Sequence, residues 1–138
     1  MLKNTLLLIA LVSILFACNS NNETKKIPVT DIEVATSFIR DLLDNNLADA
    51  RTLMLNDEKN QQTFDLVERK MKAASKEEQE KYKNADIIIN NVETVVKDSV
   101  TIINYSNSSY KESKNKIKVV RMAGKWLVDF QYTFSGNM

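Results

Sequence analysis

The spacing of apolar residues changes once along this chain, near Ala85, and that change restricts the fold more than any other feature. From residue 30 to residue 84 the apolar residues recur at steps of three and four, which is typical of one face of an α-helix. From Ala85 to Phe134 the step becomes two and β-branched residues become frequent, which is typical of strands. Helices followed by consecutive strands predict an α+β domain with an antiparallel sheet.

Two or three helices are predicted before the sheet. Residues 30–33, with the sequence TDIE, match a capping box, so the first helix should begin there. Its apolar face includes Phe38 and Leu42, and its opposite face is expected to carry Arg40, Asp41 and Asp44.

A short second helix is expected at Leu47, and a third near Gln61 or Thr63 with Phe64 and Met71 on its inner side. The charged run at residues 68–83 contains a second capping box at residues 75–78. Glu68 and Lys72 have the spacing of a helical ion pair, so we interpret this run as a solvated helix face. The alternative is a surface that binds a charged partner.

Four strands are predicted at residues 85–96, 99–106, 115–122 and 125–134, joined by turns at 97–98, 106–114 and 123–124. In the first strand the phase of the apolar residues shifts, which predicts a bulge near Asn90 and Asn91 that would curl the sheet. The last strand has the clearest alternation, with one face carrying Trp126, Val128, Phe130, Tyr132 and Phe134 and the other carrying Leu127, Asp129, Gln131 and Thr133.

The composition excludes several classes of function. The chain has 138 residues with 19 basic and 18 acidic side chains, which fits one domain and provides no overall field to attract a nucleic acid. Its single cysteine allows no intramolecular disulfide, and without histidine the usual zinc sites and catalytic triads cannot be built. We therefore predict no metal, no cofactor and no nucleic-acid partner.

The amino terminus has the pattern of an export signal. Lys3 precedes residues 6–17, a block that is apolar except for Ser13. A membrane-spanning helix needs about 20 apolar residues, and polar residues follow this block directly, so a permanent span is not expected. Residues 1–17 are therefore predicted to be a signal peptide, in preference to a buried core helix.

The end of this block, residues 15–18 with the sequence LFAC, resembles the lipobox of bacterial lipoproteins. The resemblance implies cleavage between Ala17 and Cys18, a diacylglyceryl group on the Cys18 sulfur and acylation of the new amine. Cys18 would then join the protein to a membrane, since several acyl chains together make a stable anchor. The alternative is that Cys18 remains a reactive free thiol.

Residues 18–29 are predicted to be the lipidated cysteine and a flexible tether, because they are rich in asparagine and charge and include the only proline. Asn19 stands where an aspartate marks inner-membrane retention in many Gram-negative lipoproteins, so the resemblance favours the outer membrane. Glu23 is the only acidic residue of the segment. We therefore expect the domain to face the periplasm and not the cell exterior.

The order of the elements, with LADA at residues 47–50 and GKWLVDF at residues 124–130, resembles the nuclear transport factor 2-like fold. The sequence is also similar to small lumazine-binding-like domains of unknown function in Bacteroidota lipoproteins. The resemblance covers residues 30–134 and implies a cone, in which the helices lean on the concave face of a curled four-stranded antiparallel sheet. The cone domain would comprise residues 30–138.

The open end of that cone is a pocket in some members of the fold, so the resemblance implies a candidate pocket. The alternative is that the same side chains simply fill the core. We predict a non-enzymatic binding or interaction module, with a small apolar ligand as one expected partner. The candidate pocket residues are Phe38, Leu42, Met71, Asn104, Trp126, Phe130 and Tyr132.

Two other functions are kept as alternatives. Ketosteroid isomerases and polyketide cyclases, which resemble this fold, hold an Asp or His base in an apolar cavity. Here Asp129 is expected on the strand face opposite Trp126, which disfavours an enzyme of this type. Alternatively, the exposed sheet face, with Leu127 and Thr133, pairs with a second copy to form a homodimer.

Overall fold

The structure is a computed structural model that describes residues 26–134. The predicted signal peptide and the lipidation site at Cys18 lie outside the described residues. The described part contains five helices and a four-stranded antiparallel sheet, which confirms the α+β prediction. The helices are α1 (Asp31–Leu43), α2 (Leu47–Thr52), α3 (Glu58–Ala73), α4 (Lys76–Lys83) and α5 (Phe130–Phe134). The strands are β1 (Ile87–Val96), β2 (Val100–Asn107), β3 (Tyr110–Met122) and β4 (Lys125–Asp129).

The first helix begins where the capping box predicts. The Thr30 hydroxyl accepts a hydrogen bond from the Glu33 amide at 3.2 Å, and the Glu33 carboxylate accepts one from the Thr30 amide at 3.2 Å. The expectation that Asp41 lies on the polar face is wrong, because Asp41 is only 3% exposed. It follows Val34 by seven residues and Phe38 by three, and this spacing puts it on the buried side.

Four helices precede the sheet, where two or three were predicted. Helix α3 begins at Glu58, earlier than expected, because the Asp57 side chain accepts a hydrogen bond from the Asn60 amide at 3.0 Å and caps the helix. The extended backbone of Ala74 then ends α3. The Ser75 side chain accepts a hydrogen bond from the Glu78 amide at 3.2 Å, so α4 begins as a separate helix.

The charged run that spans α3 and α4 contains the expected ion pair. The Glu68 carboxylate contacts Lys72 at 2.5 Å and also contacts Arg51 of α2 at 2.5 Å. Hydrogen bonds from Lys72 and then Arg51 lower the pKa of Glu68. These contacts connect α2 to α3 at the surface.

The sheet is a meander in the order β1-β2-β3-β4, with β1 and β4 at its two edges, so it is not closed. The predicted bulge in the first strand is confirmed, because the register shifts between Ile89 and Asn91. The tight turn at Ala123 and Gly124 is also confirmed, with φ angles of 48° and 78° that suit a two-residue hairpin.

The long turn predicted at residues 106–114 is wrong. Only residues 108–109 separate β2 from β3, and β3 begins at Tyr110. The Asn107 side chain explains the short connection, since its oxygen accepts hydrogen bonds from the amides of Ser109 and Tyr110, each at 3.0 Å.

The last predicted strand is wrong beyond Asp129, where the chain turns into α5. The Asn60 side-chain oxygen accepts a hydrogen bond from the Gln131 amide at 2.9 Å, so this part of the backbone is bound to α3. Phe130 is 3% exposed and packs into the core. Thr133, which was expected on the exposed sheet face, is 6% exposed in α5. Tertiary contacts therefore override the alternating pattern.

Three aromatic rings fill the centre of the domain. The ring centroid of Phe38 lies 6.3 Å from that of Phe64 and 5.2 Å from that of Phe130, and the last two are 5.5 Å apart. They bring α1, α3 and α5 together on one face of the sheet. We name these three rings the aromatic centre. The sheet packs against it with Ile103, Ile117, Val119 and Val128.

The segment after α2 covers the edge of β4. The Leu55 amide donates to the Val128 carbonyl at 2.9 Å, and the Val128 amide donates to the Leu53 carbonyl at 2.8 Å. This short parallel bridge, centred on Met54, fixes Leu53 beside β4. It thereby forms part of the site described next.

Candidate functional site

Residues 26–31, which lead into α1, line three neighbouring cavities. An apolar cavity of about 420 Å³ is lined by residues that include Ile27, Val29, Val34, Leu53, Trp126 and Leu127. A polar cavity of about 340 Å³ is lined by residues that include Val29, Asp31, Lys97, Asp98, Arg121 and Trp126. An acidic cavity of about 200 Å³ is lined by residues that include Lys26, Ile27, Ser37, Asp41, Asp49 and Leu53. Because Trp126 lines both the apolar and the polar cavity, we name these two together the Trp126 cleft.

Glu33, in the first turn of α1, holds residues 26–30 in place. Its carboxylate accepts hydrogen bonds from Lys26 Nζ at 2.6 Å, the Val29 amide at 3.0 Å and the Thr30 amide at 3.2 Å. These donors, Lys26 first, lower the pKa of Glu33 to about 2. The residue that completes the capping box therefore also attaches the last part of the predicted tether to the domain.

The apolar cavity lies between these residues, α2 and the β3–β4 turn. Val34 in α1, which is 2% exposed, and Leu53, which the bridge holds beside β4, both line it. Trp126 is half-buried and Lys125 lies at the same cavity. A concave, mostly apolar surface with a few polar groups is typical of small-molecule sites.

The polar cavity contains charges of both signs. Asp31 accepts a hydrogen bond from the buried Thr101 hydroxyl at 2.6 Å, which fixes the start of α1 against β2. The Arg121 guanidinium lies 5.9 Å from the Trp126 ring. Lys97 and Asp98 come from the turn between β1 and β2. This cavity can bind a ligand group that carries a positive and a negative charge.

The acidic cavity contains Asp41, whose burial contradicts its predicted place on the polar helix face. Ser37 lies one turn before it in α1, and Asp49 of α2 lies at the same cavity. The spacing of Asp41 from Val34 and Phe38 was the signal that could have revealed its burial. Its charge led to the opposite assignment.

The structure divides the predicted pocket residues between the core and the surface. Phe38 and Phe130 belong to the aromatic centre, and Leu42 and Met71 are half-buried against it. Trp126 lines the Trp126 cleft. The side chains of Phe38 and Phe130 are therefore packed against other rings at the position where the prediction placed a pocket.

Asn104 and Tyr132 are not among the residues of the aromatic centre. Ile103 is fully buried on the helix side of β2, so its neighbour Asn104 points to the other side of the sheet. There Asn104 lines a cavity of about 390 Å³ together with residues 111–116 of β3. Tyr132 is half-buried in α5, with Lys118 Nζ 5.4 Å from its ring.

Within residues 26–134, no group of three His, Cys, Asp or Glu side chains is placed to hold a metal ion. No helix of this described part is long and apolar enough to cross a membrane.

No family model, no curated protein and no solved structure matches the chain. The chemistry of the site must therefore be inferred from its own residues. An apolar cavity beside a polar one with both charges suits an amphipathic ligand.

Proposed function

We propose that this protein is a lipid-anchored, non-enzymatic binding domain of the cell envelope. Cys18 carries the anchor, and the domain faces the periplasm at the outer membrane. The Trp126 cleft is the observation that supports binding, because it joins an apolar surface to charged groups in one concave site. The proposed ligand is a small molecule with a short apolar part and charges of both signs.

The nuclear transport factor 2-like fold is part of this proposal. Helix α1 contacts β3 and β4, and α5 contacts β3, so the helices share one core with one face of the sheet. The cleft lies beside the turns that follow β1 and β3, at one end of this arrangement. Both features are expected of an α+β cone with an open end.

The ionisable groups of the cleft favour binding over catalysis. A general base of the isomerase type lies in an apolar cavity, whereas Asp31 and Asp98 line the polar one. Asp31 already accepts hydrogen bonds from the Thr101 hydroxyl and the Ile32 amide.

The lipid anchor is tested by the intact mass of the protein in bacterial membranes. The wild-type chain is expected to begin at Cys18 and to carry acyl groups. Cys18→Ala is expected to retain residues 1–17 and to carry none. If Cys18→Ala yields the same membrane-bound mature chain as the wild type, the anchor is not at this residue.

Binding is tested by native mass spectrometry of the full lipidated chain with hexanoylcarnitine, which has a short acyl chain and charges of both signs. One bound molecule is expected for the wild type. Leu53→Lys places a charge in the apolar cavity and is expected to weaken binding about tenfold or more, which is about 1.4 kcal/mol. Leu66→Lys is the matched control, because Leu66 is an exposed leucine of α3 that lines neither part of the cleft. Equal binding by both variants would exclude the apolar cavity as the site.

A further inference from the structure

Among residues 26–134, half of the exposed large apolar side chains lie at the end of the domain where residue 26 enters. Ile27 and Val29 precede α1 and are 81% and 68% exposed. Met122 is 56% exposed at the end of β3, and Val95 and Val96 are each 50% exposed at the end of β1. We name these five residues the apolar tip. Side chains this exposed add little to the stability of the folded domain.

The three segments of the apolar tip lie close together. Val29 lines the polar cavity together with Lys97 and Arg121, which directly follow Val96 and precede Met122. The Arg121 amide also donates a hydrogen bond to the Ser99 carbonyl at 2.8 Å, which joins the end of β3 to the turn after β1. The three segments therefore meet at one end of the sheet.

Three basic side chains lie at this end of the domain. Lys97, Arg121 and Lys125 all lie at its turns, and in the described part of the chain none of them forms an ion pair. Asp31 and Glu33 are acidic neighbours whose carboxylates accept hydrogen bonds from the domain itself. Asp98, in the turn after β1, is a third acidic neighbour, and the three cations outnumber it. Exposed apolar residues among unpaired cations are suited to the interface of a bilayer with anionic headgroups.

The position of the tip relative to Cys18 identifies the occupant. Eight peptide units separate Cys18 from Lys26, so they reach at most about 28 Å. A compact domain of about this size has a radius of gyration of about 13 Å, which corresponds to a diameter of about 34 Å and exceeds that reach. The chain enters the domain at Lys26, which lies at the tip. A lipid on Cys18 therefore keeps the tip closer to the bilayer than the opposite end of the domain.

We propose that the apolar tip rests on the surface of the bilayer that holds the lipid anchor, with its valines and Met122 among the headgroups and its cations beside anionic lipids. This inference rests on the proposed function, because it needs the anchor at Cys18. It goes further by fixing the orientation of the domain, with the Trp126 cleft directed toward the membrane surface.

The experiment uses the full lipidated chain in vesicles of phosphatidylethanolamine and phosphatidylglycerol, prepared with and without brominated acyl chains. Trp126 is the only tryptophan and lies at the tip, so its fluorescence reports contact with brominated lipid. Quenching is expected for the wild type and for Leu66→Lys. The double variant Val96→Lys with Met122→Lys is expected to lose the quenching and still float with the vesicles.

The outcomes separate the two proposals. If the wild type floats with the vesicles but Trp126 is not quenched, the anchor stands and the orientation is wrong. The orientation is also wrong if the double variant is quenched like the wild type. If the wild type does not float, the anchor itself fails and the orientation with it. The quenching of Trp126 in the wild type tests the orientation even if the double variant does not fold.

Discussion

The aromatic centre and the apolar tip use apolar residues in opposite ways. Phe38, Phe64 and Phe130 are at most 3% exposed and contact one another, whereas Ile27 and Met122 are more than half exposed. Burial at the centre contributes directly to folding, and exposure at the tip does not. The centre therefore stabilises the fold, and under our proposal the tip is available for contact with the bilayer.

The largest effect should come from emptying the aromatic centre. Phe64→Ala removes a fully buried ring and is expected to lower the free energy of unfolding by about 3–5 kcal/mol. Met122→Ala at the tip should change it by less than about 0.5 kcal/mol. Urea unfolding measures both values. Similar losses for the two variants would remove the distinction between the regions.

A smaller loss is expected at the far end of α1, away from the tip. The Arg40 guanidinium donates hydrogen bonds to the carbonyls of Ala85 at 2.7 Å and Lys83 at 3.1 Å, and it contacts Asp44 at 2.9 Å. Arg40 therefore attaches the connection between α4 and β1 to α1. Arg40→Met should cost about 1.5–3 kcal/mol in urea unfolding.

Arg40→Lys is the control for this connection. Lysine keeps the charge but cannot donate to two carbonyls in the fixed geometry of a guanidinium. Its stability should fall between those of the wild type and Arg40→Met. If Arg40→Lys is as stable as the wild type, charge alone and not the paired hydrogen bonds holds the two elements.

The smallest effect is expected at Glu33, which attaches residues 26–30 beside the tip. Hydrogen bonds lower its pKa from 4.5 to about 2, so its contribution is complete above pH 4.5 and is lost as the pH falls toward 2. Glu33→Gln should therefore make stability less dependent on pH across this acid range. Unfolding midpoints at several pH values measure the change, and Glu112→Gln in β3 is the control. A Glu33→Gln profile as steep as that of the wild type would contradict the assignment.

Features that depend on neighbouring residues were predictable from the sequence. The capping box located the start of α1, the change of phase located the bulge in β1, and the small residues Ala123 and Gly124 located the last hairpin. Each of these is decided by interactions within a few residues of the chain. Local physical chemistry is then sufficient.

Features that depend on distant contacts were not predictable in the same way. The alternation after Asp129 indicated a strand, but the Asn60 side chain binds the Gln131 amide and the Phe130 ring joins the core. The cleft likewise combines Leu53 with Trp126 through the bridge between the segment after α2 and β4. The spacing of apolar residues, in the segment after α2 or in β4, does not indicate that the two segments pair. The sequence predicted Trp126 as a pocket residue, but it did not predict the residues that lie beside it in the cleft.

Hydrogen exchange of the full lipidated chain in vesicles is the most direct test of the difference between the two regions. Amides around Ile103, Ile117 and Phe64 should exchange slowly in the wild type and equally slowly in the Val96→Lys, Met122→Lys variant. Amides of residues 97–99 and 123–125 should exchange more slowly in the wild type than in that variant, because only the wild-type tip is covered by the bilayer. Equal exchange of these two turns in both proteins would contradict a tip that rests on the membrane.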